Sequence, residues 1–211
     1  MKEQTGEIIP LFSTPVFLSG EKFEITESFL DFIKNVDKTL GEKGSRAHTN
    51  SSDYYILEKE EFADLKKFIE RQLHIYVHDT LKITTDSTFY ITQSWLNFNE
   101  RGDDHHRHWH QNSLFSGVFY ITGDDCPIVF CSAVGDPPFG MGWEFEVKEF
   151  NLFNSGEWSI PNEKNGVVLF PSSTLHYVNE YYGIGTRISL SFNTFVKGTL
   201  GKGIDKTELK L

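Results

Sequence analysis

From residue 87 onward the chain is a succession of short apolar stretches, each closed by glycine, proline, aspartate or asparagine. They read STFYITQSWLNFN, LFSGVFYI, PIVFCS, WEFEVKEF, EWSIP, GVVLFPS, LHYV and TRISLSFNTFV. Around eight short strands with this punctuation predict a β-sandwich or barrel. Phenylalanine is abundant, with 19 copies against 2 methionines. That bias leans the same way, because aromatic and β-branched side chains pack well on a pleated sheet.

The first 86 residues have a different texture. IIPLFSTPVFLSG reads as short extended pieces broken by prolines. A first helix is expected from a Thr26 cap, with Phe29, Leu30, Phe32, Ile33, Val36 and Leu40 at helical spacing and Gly41 closing it. Residues 42–57 are polar, and HTNSSD within them reads as a loop. A second helix follows, striped by Phe62, Leu65, Phe68, Ile69 and Leu73. His74 and His78 fall on it as polar-face or partly buried residues rather than expected ligands. The end of the chain, GTLGKGIDKTELKL, reads as a loose tail.

A net charge of −10 and the lack of a basic stripe argue against nucleic acid as a partner. No window approaches the ~18 apolar residues of a membrane span. MKEQTGEIIP lacks an apolar signal core. Cys126 and Cys131 lie five apart in an apolar run and read as buried, reduced thiols. A cytoplasmic protein is the expectation.

Two patterns carry chemistry. In TRISLSFNTF, strand alternation places Ile188, Leu190 and Phe192 on one face and Arg187, Ser189, Ser191 and Asn193 on the other. If the apolar face packs on the helices, the polar row points into the barrel. There it needs a ligand or water to satisfy it. The alternative is a row exposed on an open sheet. The second pattern is a crowd of histidines: His105, His106, His108 and His110 lie within six positions. In an extended strand, His108 and His110 share a face with Ser116, Val118 and Tyr120, and both can reach one ion. His176, in LFPSSTLHYV, offers a third ligand from a later strand. Three ligands leave positions open, as in non-haem Fe(II) sites. The alternative is a solvated loop beside Asp103 and Asp104. His105 and His106 read as loop or supporting residues. Arg187, eleven residues after His176, can bind a carboxylate through two parallel hydrogen bonds, with the Ser189 hydroxyl beside it.

On QSWLNFN, HWHQNSLFSGVFYI, LFPSSTLHYV and TRISLSFN, residues 87–196 resemble the Fe(II)/2-oxoglutarate-dependent oxygenases. The likeness lies on the side of the superfamily that includes prolyl hydroxylases, in an uncharacterised bacterial and phage branch. FSTPVF near the start extends it to the whole chain. The resemblance implies one domain over 1–211, with 1–86 as helical support, 87–196 as core and 197–211 as tail. Its fold is a double-stranded β-helix, a jelly roll, so the fold class is mainly β with two N-terminal packing helices.

By the same likeness His108 and His176 take the two histidine ligand places, and Arg187 with Ser189 the Arg-x-Ser place. Tyr120 stands where relatives put a tyrosine that touches 2-oxoglutarate. Fe(II) and 2-oxoglutarate are the implied cofactors. Dioxygen and a small-molecule or peptide substrate are the implied reactants, with prolyl side chains favoured only by analogy. A homodimer is the default oligomer.

Most relatives carry His-x-Asp or His-x-Glu, whereas this chain has His108-x-His110. The site is then one negative charge short, unless Asp103 or Asp104 folds back to supply it. Two other readings stand beside the oxygenase. A cupin-type three-histidine dioxygenase would leave Arg187 without a role and lacks its expected glutamate. A non-enzymatic jelly-roll module would make the histidines incidental. The Gly- and Pro-rich stretch 132–146 is a candidate lid, and Trp95 and Asn97 share a face that can line the cavity.

Overall fold

The structure is a computed structural model that describes residues 6–40, 49–123, 126–132, 145–203 and 206–211. Its frame is two antiparallel sheets. The larger takes strands β1 (Phe17–Leu18), β2 (Lys38–Leu40), β3 (Thr49–Ser51), β4 (Ser87–Asn99), β6 (Phe115–Thr122), β9 (Val167–Pro171) and β11 (Arg187–Leu200), in the order β1-β9-β6-β11-β4-β3-β2. The smaller is β5-β10-β7-β8, from His105–His108, His176–Val178, Ile128–Cys131 and Glu157–Ile160. This is the jelly roll that the resemblance implies, one form of the sandwich or barrel expected from the strand texture.

Alternation along the central strands builds two cores. Phe119 and Ile121 of β6, Val167 and Leu169 of β9, and Ile188, Leu190 and Phe192 of β11 face the helices. Val118 and Tyr120 of β6, with Val168 and Phe170 of β9, face the smaller sheet and meet Ile128 and Phe130. A one-residue slip of any of these strands would exchange the two faces, so burial on both sides fixes the register. Gly117 leaves room for the Phe192 ring: a Cβ there would fall 2.2 Å from the ring.

Helix α1 (Glu27–Lys34) starts where expected, its Thr26 hydroxyl accepting from the Phe29 N–H at 3.3 Å. It stops earlier than the apolar spacing predicts. The Asn35 side chain donates to the Asp31 carbonyl at 2.7 Å, and the chain turns into β2. Leu40 is therefore an exposed strand residue, not the last helical contact. The expected loop at 48–53 contains β3, which pairs with β2 and β4. Helix α2 (Ala63–His74) buries Leu65, Phe68, Ile69 and Leu73 against the larger sheet, Phe68 meeting Phe119 edge-on at 6.3 Å. It runs on as a π-helical turn, Ile75–Thr80.

Two further expectations are corrected. Residues 145–150 form no strand, so the described part of WEFEVKEF is irregular. The tail is not loose: β11 continues to Leu200, and β12 (Leu209–Lys210) folds back onto it. Cys126 and Cys131 are buried free thiols. Among the described residues no helix is long and apolar enough to cross a membrane. Residues 133–144 of the candidate lid lie outside the described residues.

Candidate metal centre

His108 ends β5 and His176 begins β10, and the two are direct cross-strand partners. Their ring centroids stand 4.3 Å apart. His110 reaches the same point by another route. The condition for a face shared by His108, His110 and Tyr120, an extended strand through all three, is not met: β5 stops at His108, and residues 109–114 cross to β6 in the other sheet. The crossing is pinned where the sheets meet. The His110 N–H donates to the Ser172 carbonyl at 3.0 Å, and the Ser172 hydroxyl bonds those of Ser113 at 2.7 Å and Ser116 at 2.8 Å. Asn193, expected on the cavity row, accepts from Ser116 within this network.

The potential ligand nitrogens of His108, His110 and His176 all lie within 4.8 Å of one another. Asp103 and Asp104 do not belong to this group. The Asp103 carboxylate instead accepts from the Glu100 N–H at 2.8 Å, closing its own turn.

Two of the rings are oriented for a metal. His108 Nδ1 lies 2.7 Å from the His106 carbonyl, and His176 Nδ1 lies 2.8 Å from the Thr174 carbonyl. A carbonyl oxygen only accepts, so each Nδ1 carries the proton and each Nε2 keeps its lone pair. That arrangement is usual for imidazoles that ligate metals. Burial, reinforced by the neighbouring His108, lowers the His110 pKa to about 4 and that of His176 to about 3. Both are neutral at physiological pH and available as ligands.

The polar row of β11 faces the same cavity. Register sets Arg187 beside Asn99, Ser189 beside Asn97 and Ser191 beside Trp95. All six line the cavity with the three histidines, Tyr120 and His105. Arg187 is 3% exposed and donates to Asn99 Oδ1 at 3.1 Å and Ser189 Oγ at 3.4 Å. Its Nε has no hydrogen-bond partner, and neither does the Tyr120 hydroxyl. The guanidinium sits 5.6 Å from the Tyr120 ring centroid. Burial raises the Tyr120 pKa to about 12, although Arg187 and the Ile128 amide pull the other way. That hydroxyl is therefore a donor at neutral pH.

Two buried donors left unpaired, one on a guanidinium, are costly unless an acceptor arrives. Three imidazoles on one side and two unpaired donors on the other fit an ion and an anionic chelator. The free space between them is about 40 Å³, room for roughly three waters.

Sequence reasoning underrated two residues. Asn99 continues the alternation of Trp95 and Asn97 and was legible from it. His105 was not. The pairing shifts between His108↔His176 and His105↔Val178, so β5 carries one residue more than β10 over that interval. This bulge turns His105, rather than His106, into line with His108, where its ring stacks at 4.3 Å and 15°.

Residues 93–193 match the family model described as "Putative 2OG-Fe(II) oxygenase". No curated protein matches the chain. Among solved structures, the chain is similar to HygX from Streptomyces hygroscopicus with nickel and 2-oxoglutarate bound. The TM-score is 0.57 at 12% identity, covering 86% of this chain and 82% of that one. It is similar to a Pseudomonas putida prolyl-4-hydroxylase, with TM-score 0.55 at 11% identity over 86% and 93% of the chains. An oxidoreductase of the 2OG-Fe(II) oxygenase family from Burkholderia pseudomallei gives TM-score 0.55 at 11% identity over 79% and 77%. At these identities the structures establish a shared fold. The matched segment contains all three histidines, Tyr120, Arg187 and Ser189, and over it this chain is similar to the Fe(II)/2-oxoglutarate-dependent oxygenases.

Proposed function

We propose that the chain hydroxylates a C–H bond of a small-molecule or peptide substrate, with His108, His110 and His176 holding Fe(II). Arg187, Ser189 and Tyr120 receive the far carboxylate of 2-oxoglutarate. The observation that carries this reading is the pair of unpaired buried donors, Arg187 Nε and the Tyr120 hydroxyl, in the cavity of the triad. When bound, iron and 2-oxoglutarate together activate dioxygen for oxidation of the substrate, with succinate and carbon dioxide released.

The chain's own part is orientation and exclusion of water. The His106 and Thr174 carbonyls hold the His108 and His176 rings with Nε2 free. Arg187 and Tyr120 each offer a proton that no protein group takes. Ser189 already accepts from Arg187 and Asn97, so its own hydrogen remains for a carboxylate. The free space must widen to seat a diacid, and the rings and guanidinium lining it are what must shift.

Three neutral imidazoles lack the negative charge of the usual carboxylate ligand, so the anionic chelator and the metal assist each other's binding. The substrate is not chosen by the fold, since the neighbours include a prolyl-4-hydroxylase and an epimerase, SnoN, from nogalamycin biosynthesis. A reducing cytosolic setting suits the two free buried thiols. The experiment is a thermal-shift titration with Mn(II), with and without 2-oxoglutarate, alongside succinate release with Fe(II). The expected result is a larger shift with both ligands than the two single shifts combined. A chain whose melting temperature ignores 2-oxoglutarate in the presence of metal does not support the reading.

A further inference from the structure

On the far side of the larger sheet from the triad, the end of α2 carries a second arrangement of imidazoles. His74 closes the α-helix, and His78 lies in the π-helical turn that follows. Their ring centroids stand 4.7 Å apart. The three pairs within the triad stand at 4.3, 5.0 and 5.1 Å, so this pair has the same bite. Two imidazoles sharing one ion need ring centres roughly 4.5–5 Å apart, given metal–nitrogen bonds of ~2.0–2.1 Å.

His78 is prepared as the triad ligands are. Its Nδ1 lies 2.8 Å from the Ile83 carbonyl, which can only accept, so the proton is on Nδ1 and the lone pair on Nε2. The π-helical turn accompanies this contact: the Leu81 N–H reaches back to the Tyr76 carbonyl and the Ile83 N–H to the Val77 carbonyl. Such turns are frequently found at functional sites. Phe89 stands edge-on to the His78 ring, with centroids 6.1 Å apart.

The two rings open onto a groove of about 210 Å³ that Glu70, Thr85, Ser87 and Thr88 also line. Glu70 lies four residues before His74, on the same helical face. Its carboxylate is not within the tight spacing of the triad group, so it must swing in as an outer arm. Both histidines sit near the end of the helix, where the unpaired carbonyls give a partial negative charge that favours a cation.

We infer that His74 and His78, assisted by Glu70, form a second divalent-metal site, independent of the oxygenase centre and suited to Zn²⁺, Ni²⁺ or Cu²⁺. Imidazole donors suit these ions better than Mg²⁺ or Ca²⁺, which prefer oxygen. The inference does not rest on the oxygenase reading, because it uses none of the cavity residues.

The test is Zn²⁺ calorimetry on the full chain. Wild type is expected to bind two Zn²⁺, the triad tightly and the helix site more weakly. On a His108→Ala/His176→Ala background, one Zn²⁺ remains, and adding His74→Ala weakens it by ~10-fold or more. A background chain that binds no Zn²⁺, or one whose affinity His74→Ala leaves unchanged, overturns the inference. Should the double variant fold poorly, the single His74→Ala variant decides. It is exposed and must remove the weaker isotherm of the wild type while sparing the stronger. Persistence of both isotherms overturns the site.

Discussion

His108 and His176 face each other across neighbouring antiparallel strands, and each donates its Nδ1 proton to the carbonyl two residues earlier in its own chain segment. The two rings are thus locked by local backbone and brought together by sheet pairing. What they can hold depends on the third ring, His110, and on the donors across the cavity.

Arg187 is the first residue to remove. Arg187→Ala takes away the buried guanidinium and leaves Asn99 without its donor. Loss of a buried charged partner costs about 2–5 kcal/mol, so 2-oxoglutarate binding weakens ~30-fold or more. The Mn(II)-induced thermal shift persists. Isothermal titration of 2-oxoglutarate into the Mn(II)-loaded variant checks this. An unchanged affinity removes Arg187 from the site.

His110 tests the charge of the centre. His110→Glu restores a carboxylate of comparable reach and is expected to tighten Mn(II) binding without 2-oxoglutarate by about tenfold, since hard divalent ions favour oxygen ligands. The cooperativity between metal and 2-oxoglutarate then shrinks. If metal affinity is indifferent to this change, His110 is not a ligand.

Gly123 has φ +90, and a Cβ there would meet the Arg187 Cβ at 2.7 Å and Cγ at 2.8 Å. Gly123→Ala therefore combines backbone strain of ~1 kcal/mol or more with displacement of the arginine. The expected outcome is a lower melting temperature together with a weakened 2-oxoglutarate response. Gly185, also at positive φ but with open space around its Cβ position, serves as the control. Gly185→Ala is expected to lower stability without touching 2-oxoglutarate binding.

Acidification should loosen the metal-free protein. His110 and His176 have folded pKa values near 4 and 3, below the ordinary 6.5 of an unfolded histidine. Between those values the unfolded chain binds more protons than the folded one, so stability rises with pH across the window and is lost as pH falls below 6.5. For the buried His176 the slope is at most about 1.4 kcal/mol per pH unit. Melting temperatures at pH 7.5 and 5, for wild type and His176→Gln, provide the measurement. A variant with the same slope as wild type rules out this source.

Much of the frame was legible because alternation is a local property. TRISLSFN places Arg187, Ser189 and Ser191 opposite Ile188, Leu190 and Phe192 wherever the strand goes, and burial on both faces kept that assignment. STFYITQSWLNFN became β4 over its full length, and Thr26 capped its helix. The chain by itself thus determined the strand texture, the division of TRISLSFN into a polar and an apolar row and the types of residue at the centre. Other features needed partners distant in sequence. Pairing with β4 made a strand of Thr49–Ser51, and Leu209–Lys210 is a strand only because β11 lies beside it. The bulge that brings His105 to His108 and the crossing that delivers His110 from between the two sheets leave no periodic mark. Tertiary structure alone decided them, because strand register and the meeting of two sheets are set by contacts between residues far apart in the chain, which a pattern of period two does not encode.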